Sequence, residues 1–325
     1  MNLLHNIQLK NLTLNNNIFL APLAGYTSYP TRKIYKMQGN FTCYSEMISA
    51  EGLNHSFRKS IEIIDTKAHE SPVGIQLFGP NADKILSAFL KIRQFYFDIV
   101  DINCGCSIKK VLKSNSGAYL LNNPDEIYRI ILRLKNETDK PVTIKMRSGY
   151  DNCRKNYLQV HEAAVKAGVD MITFHPRTRA MLFSGKADWS LIKEMKKISP
   201  VPIIGNGDIF SADDAIRMIN ETNCDGVMIA RGIIENPFLF DEIFAKFNSK
   251  AYNSPSASDR VERLLLHCKS LADFYGENRG IREIKKFVKG YLKSLPDISI
   301  IRRRLGEVNN FTDFENILKN FLKSL

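Results

Sequence analysis

Short apolar runs and amphipathic stretches alternate eight times between Ile18 and Ile229, and this repeat restricts the chain more than any single residue does. The runs are 18–21, 42–45, 73–77, 98–102, 142–145, 171–174, 202–204 and 226–229. Their length and their Gly, Pro and Asp borders fit strands buried on both faces. The stretches between them carry helix signals. Asn123-Pro124-Asp125-Glu126 offers an N-cap with Pro at the first turn, and Ile127, Ile130, Ile131 and Leu134 follow on one face. Eight strand–helix units predict an α/β fold, a (β/α)8 TIM barrel rather than an open sheet.

The pattern changes after Phe247. Residues 248–258 are polar and rich in Asn, Ser and Pro, as in a linker, and everything beyond reads as helix. The expected organisation is a barrel domain over 1–247, a linker over 248–258 and a small all-α bundle over 259–325. In the bundle, Ile284, Phe287, Val288, Tyr291 and Leu292 form a helical stripe, with Lys285, Lys286, Lys289 and Lys293 off it. A helix that buries one face and solvates the other explains this pattern. So does a basic face that also holds a ligand.

Charge favours the second possibility without deciding it. Lys and Arg number 46 against 34 Asp and Glu, a net charge of +12, which suits a polyanionic partner. The excess is concentrated. Arg279, Arg282, Lys285, Lys286, Lys289, Lys293, Arg302, Arg303 and Arg304 stand against only Glu283 and Asp297 in that stretch. Six scattered cysteines make no disulfide framework, and no run of about 18 apolar residues or secretory leader is present. A reduced, cytoplasmic, soluble chain with no membrane association and no evident protein partner is expected, most simply a monomer.

Active sites of such barrels form at the C-terminal ends of the strands, and there this chain concentrates its polar chemistry. Pro22-Leu23-Ala24-Gly25 follows the first run, Gln76 lies in the third, and Asn103-Cys104-Gly105-Cys106 follows the fourth. Lys145 and Arg147 close the fifth; His175, Arg177 and Arg179 follow the sixth. Gly205-Asn206-Gly207-Asp208 and Ala230-Arg231-Gly232 end the last two. Gly-rich turns at those two strands present backbone N–H groups suited to a phosphate, with Arg231 as a charge-assisted partner. Several residues admit two roles. Lys145 suits an anionic reduced flavin ring or an ion pair with Asp101 or Asp208; Gln76 suits a flavin pyrimidine edge or a satisfied core amide. Cys106 on its own is a nucleophile, a ligand or a packed sulfur. Zinc at Cys104 and Cys106 lacks a second ligand pair at suitable spacing.

Taken in order, 21–25, 76–79, 101–106, 142–147, 175–179, 205–208 and 225–231 resemble the tRNA-dihydrouridine synthases. The stretch Arg177-Thr178-Arg179-Ala180-Met181-Leu182-Phe183-Ser184-Gly185 is most similar to the bacterial B-type subgroup. Arg282-Glu283-Ile284-Lys285-Lys286 and Tyr291 resemble that family's helical tRNA-binding domain. The resemblance implies a barrel holding FMN and NADPH-dependent reduction of the C5–C6 double bond of D-loop uridines in tRNA. By the same resemblance Pro22, Leu23, Ala24, Gln76, Lys145, His175, Asn206, Gly207, Asp208, Ala230 and Arg231 contact FMN. The resemblance also implies that reduced flavin N5 delivers hydride to C6 and that Cys106 protonates C5. Asn103, Arg147, Arg177 and Arg179 are implied for the base or nearby phosphates, and Arg282, Lys285 and Lys286 for tRNA. No metal is implied.

Two departures from the family pattern stand out. Ser107 follows Cys106 where Pro is usual, which removes a φ restraint. Ala230 precedes Arg231 where Gly is usual, which is costly if that position needs positive φ. A flavin barrel acting on a free pyrimidine, and a non-catalytic tRNA-binding protein on the same scaffold, are the competing functions.

Overall fold

All eight predicted runs are strands in the computed structural model, which describes residues 3–57 and 63–325. Among the described residues the strands are β1 (Ile7–Leu9), β2 (Leu12–Leu14), β3 (Ile18–Leu20), β4 (Cys43–Ser49) and β5 (Val73–Phe78). They continue as β6 (Ile99–Cys104), β7 (Val142–Arg147), β8 (Met171–His175), β9 (Ile203–Asn206) and β10 (Gly226–Ile229). β3 to β10 pair in parallel in the order β3-β10-β9-β8-β7-β6-β5-β4. The sheet closes where Leu20 N–H donates to the Thr42 carbonyl at 2.8 Å and Thr42 N–H to the Ile18 carbonyl at 3.1 Å. The fold is a TIM barrel.

Helix starts follow the local chemistry that the sequence displays. Asn123 Oδ1 accepts the Glu126 N–H at 3.2 Å to begin Pro124–Glu137, whose Ile127, Ile130, Ile131 and Leu134 are buried. Asn81 Oδ1 does the same for Lys84, at 3.0 Å, ahead of Ala82–Ile92.

The barrel interior changes character along its axis. At the N-terminal end the antiparallel hairpin β1–β2 contributes Ile7, Leu9 and Leu14 to an apolar cluster with Phe19, Tyr44, Ile99, Met171, Ile204 and Met228. Sequence pattern missed this hairpin, because its three-residue strands turn through Lys10 at φ 51° rather than through an Asn-Gly signal. Toward the C-terminal end, adjacent strands place polar residues in register: Gln76 beside Asp101 beside Thr143, then Asn103 beside Lys145 beside Thr173. Inward residues of such barrels stack in layers. Here the lower layers are apolar and the upper ones polar.

The chain forms two compact units, one of residues 1–28, 40–209 and 213–230, the other of 29–39, 210–212 and 231–325. In the second, Tyr29–Lys36 packs with Ala257–Tyr275. His267 is fully buried between the Thr31 hydroxyl at 2.9 Å and the Tyr291 hydroxyl at 3.1 Å. Burial, with a smaller contribution from Lys286, lowers its pKa to about 3, so the ring is neutral. The predicted stripe Ile284, Phe287, Val288, Tyr291 and Leu292 is buried as expected. It is split between the helices Glu277–Ile284 and Val288–Tyr291, with Phe287 and Leu292 at the two caps of the second, and Gly290 sits where a Cβ would strike the Ile234 carbonyl. Among the described residues no helix is long and apolar enough to cross a membrane.

Candidate active site

Cys106 follows β6 in a non-helical turn whose backbone is held on both sides. Asn103 Oδ1 accepts the N–H groups of Gly105 at 3.0 Å and Cys106 at 2.8 Å, while Ala118 N–H donates to the Cys106 carbonyl at 3.0 Å. Gly117 explains the close approach. It adopts φ +64°, and a Cβ there would lie 2.9 Å from the Cys106 carbonyl oxygen and 3.1 Å from Cys106 Cβ. The turn therefore has restraints that do not depend on a proline at 107. Ser107 Oγ itself is buried without a hydrogen-bond partner. Burial raises the Cys106 pKa despite the Ile108 backbone contact and the charges of Arg147 and Lys145, so the half-buried thiol stays protonated at neutral pH. Cys104, one strand position below the turn, is fully buried and its thiol is pushed far upward by desolvation.

A polar chain runs from the core to that turn. Thr143 Oγ1 donates to Asp101 Oδ1 at 2.6 Å, and Gln76 Nε2 donates to Asp101 Oδ2 at 2.6 Å. Asn103 Nδ2 then donates to Gln76 Oε1 at 2.8 Å. An acceptor-only carboxylate at the base dictates how each amide above it points. Gln76 is thus a satisfied core amide in this state. Asp101 itself has its pKa raised to about 6 by burial, with Gln76, Thr143 and Lys145 opposing the rise.

Across the mouth, Lys145 Nζ donates to Asn206 Oδ1 at 2.8 Å, and Asn206 Nδ2 donates to the Met228 carbonyl at 2.7 Å. Lys145 hydrogen-bonds to neither of the carboxylates open to it on sequence grounds. Desolvation first, and Arg147 second, lower its pKa to about 8. Gly207, at φ +116°, lets the backbone pack directly against His175: a Cβ would sit 2.7 Å from the ring Cδ2 and 3.0 Å from Nε2. Gly205 has another reason to be glycine, since a Cβ would meet the Met218 sulfur at 2.5 Å.

Two buried arginines organise the segment after β8. Arg177, with 1% of its side chain exposed, pairs bidentately with Asp208 at 2.9 and 2.7 Å and donates to the Ser184 and Gly185 carbonyls at 3.2 and 2.6 Å. Arg147 Nε donates to the Gly105 carbonyl at 3.0 Å, and its Nη1 to the Thr178 and Leu182 carbonyls at 2.9 and 2.8 Å. One guanidinium therefore ties the Cys106 turn to the 178–185 segment. Arg179 lies over the Tyr150 ring at 4.7 Å.

At the first strand end, Leu23 N–H donates to Thr27 Oγ1 at 2.9 Å, closing the loop that carries Pro22 and exposed Ala24. Ala230 is not among the residues with positive φ, so its methyl carries no backbone penalty. Arg231 opens the next helix in the second unit, its guanidinium 5.5 Å from the Phe210 ring centre. Also in that unit, Arg282 is exposed, Lys285 Nζ donates to the Gly306 carbonyl at 2.8 Å, and Lys286 pairs with Glu283. Lys285 lines a cavity of about 450 Å³ with Ser299, Arg302 and Arg303. Residues that sequence reasoning missed are Asp101 and Thr143, which orient the amides, and Gly117, whose distance in sequence from Cys106 hides their contact.

Comparison with known proteins supplies what geometry alone does not. Residues 19–325 match the family described as Dihydrouridine synthase (Dus). The chain is 33% identical over 302 residues to tRNA-dihydrouridine synthase B of Pasteurella multocida, covering 91% of this chain and 90% of that protein. It is 32% identical over 315 residues to the probable tRNA-dihydrouridine synthase 1 of Synechocystis sp., covering 96% and 88%. Among solved structures, histamine dehydrogenase from Rhizobium sp. 4-9 superposes with a TM-score of 0.59 at 16% identity over 83% of this chain and 51% of that one. The old yellow enzyme homologue of Zymomonas mobilis does so with 0.55 at 13% identity, over 80% and 96%; at these identities the likeness is one of fold. The family match spans the barrel and the helical unit alike, and with it the chain belongs to the dihydrouridine synthase family.

Proposed function

We propose that this chain reduces the C5–C6 double bond of a D-loop uridine in tRNA to 5,6-dihydrouridine, with FMN in the barrel mouth and NADPH as reductant. The observation that carries the reading is the Cys106 thiol, kept protonated by burial and fixed by Asn103 and Ala118 at the mouth. When bound, reduced FMN supplies the hydride.

The residues present suit that group. The Lys145 amine, whose one hydrogen-bond partner among the described residues is the neutral Asn206 amide, offers a cation to an anionic, hydrogen-bonding cofactor. Gly207, His175, Asn206, Gln76 and Arg231 are further proposed contacts, with the Gln76 and Asn206 amides having to exchange their Asp101 and Met228 partners. Pro22, Leu23, Ala24, Asp208 and Ala230 complete the proposed FMN contacts. Lys145, with a pKa near 8, is mostly charged at neutral pH and gains charge when an anion approaches.

Cys106 gives its proton to C5. An ordinary thiol pKa of about 8.5 leaves the group protonated at neutral pH, and burial strengthens that state. Asn103 spends its amide oxygen on two backbone N–H groups and donates through Nδ2 to Gln76 Oε1, so it serves the reaction by holding the Cys106 turn. Arg177 serves by holding the 184–185 carbonyls, while Arg147 and Arg179 offer charge to the base or its phosphates. Arg282, Lys285 and Lys286 are proposed to take tRNA phosphates, which requires Lys286 to exchange its Glu283 partner.

The test is dihydrouridine formed in tRNA on incubation with protein, FMN and NADPH. Cys106→Ala should keep FMN and tRNA binding and lose most product. Undiminished product from that variant removes Cys106 from the reaction. A wild type that binds tRNA yet makes no product overturns the enzyme reading.

A further inference from the structure

Four exposed large hydrophobic side chains lie on segments held to the Cys106 turn. Ile108 is 53% exposed, Tyr119 39%, Leu182 52% and Phe183 55%. All four are tied to one place. Ile108 lies two residues beyond Cys106, and Tyr119 two beyond Gly117, which abuts Cys106. Leu182 is held through its carbonyl by Arg147, whose guanidinium lies 5.6 Å from the Phe183 ring centre and whose Nε grips Gly105. Tyr119 meets Tyr150 edge-on at 6.3 Å, and Arg179 covers Tyr150 at 4.7 Å. Exposed apolar side chains gathered in this way mark a binding surface.

Their chemistry selects the partner. Lys109 and Lys110 follow Ile108 and are exposed, so rings and aliphatic chains alternate with cations. An unstacked nucleic-acid strand presents flat apolar faces on an anionic backbone, which matches both halves of that alternation. An enzyme that draws one uridine out of its stack also strips the neighbouring bases of a stacking partner. Resting on the proposed tRNA-uridine reduction, we propose that Phe183 and Tyr119, with Leu182 and Ile108, form a platform on which the bases flanking the target uridine stack. The two arginines do double service: Arg147 holds the platform segment against the Cys106 turn, and Arg179 stiffens the Tyr119–Tyr150 pair.

The experiment uses the full chain loaded with FMN and a tRNA transcript carrying 2-aminopurine next to the modified uridine. Phe183→Ala should raise the KM for tRNA about 10-fold, in line with base–aromatic stacking, and should relieve the quenching of 2-aminopurine expected with wild type. Phe183→Trp should restore both, which a merely structural role does not predict. Tyr119→Ala, on a separate segment, repeats the test if Phe183→Ala proves insoluble. Unchanged KM and unchanged quenching in an active enzyme overturn the platform, as does loss of self-association, rather than of tRNA binding, in Phe183→Ala. If wild type makes no dihydrouridine but quenches the probe, and Phe183→Ala does not, the platform stands while the proposed reaction fails.

Discussion

Gly117→Ala tests how firmly the fold holds the thiol. Gly117 has φ +64°, and its missing Cβ would lie 2.9 Å from the Cys106 carbonyl oxygen, 2.9 Å from Val111 Cγ1 and 3.1 Å from Cys106 Cβ. A methyl in the left-handed region costs about 1 kcal/mol, and overpacking of this kind about 1–3 kcal/mol more. Gly168→Ala separates the two terms. It lies in the same compact unit at φ +82°, with only Lys135 Cε within reach at 3.8 Å, so it carries the backbone cost alone. We predict that Gly117→Ala is less stable than Gly168→Ala by about 1–3 kcal/mol, read as a difference in thermal or denaturant midpoint. Restoring ordinary contact moves the Cys106 carbonyl by about 0.5 Å and strains its bond from Ala118 N–H, and a misplacement of that order costs about 10-fold in rate. Single-turnover dihydrouridine formation by the reduced enzyme should fall by that factor while FMN content stays constant. Equal stability and equal turnover in the two variants would show that the clash is relieved elsewhere and that the clamp does not position the thiol.

Three further outcomes follow from the charges. Competitive labelling of the FMN-free protein should show Lys145 titrating near pH 8, below an ordinary lysine, and Arg147→Met should raise that value; titration near pH 10 would refute the burial argument. Because its folded pKa is depressed, the Lys145 ammonium detracts from stability below about pH 8 and ceases to do so once the unfolded lysine also deprotonates near pH 10.4. Asp208→Ala strands the buried Arg177 guanidinium and should cost about 3–5 kcal/mol, with the double variant Arg177→Met, Asp208→Ala milder than the single; a near-neutral Asp208→Ala would mean water replaces the carboxylate. His267 binds its proton far less readily when folded, so stability it contributes above about pH 6.5 is lost as pH falls toward 3, with a slope of at most about 1.4 kcal/mol per pH unit. His267→Phe should flatten that part of the acid unfolding profile, and an unchanged profile would clear the residue.

How far the sequence reached is clearest at the strand ends. A strand buried on both faces shows as an apolar run, so β3 to β10 were visible, and the rule that barrel sites gather at C-terminal strand ends pointed to Asn103, Cys106, Lys145, His175 and Asn206. Direction of hydrogen bonding was not visible. Gln76 reads equally as a cofactor contact or a core amide until Asp101 is found in register beside it, and Arg177 reads as a contact to the base or a nearby phosphate until Asp208 closes on it. The hairpin β1–β2 escaped because three-residue strands have too short a period to register.

The sequence by itself determined the repeat, and through it the barrel, the helical extension and the end of the barrel where chemistry gathers. Those features depend on which residues prefer burial, a property each side chain carries wherever it lies. Tertiary structure alone decided that Asn103 and Gly117 pin the Cys106 turn, that Arg147 joins this turn to the Phe183 segment, and that Ala230 bears no penalty. Such pairings join residues many positions apart through contacts a few ångströms long, and only closure of the barrel brings them within that range.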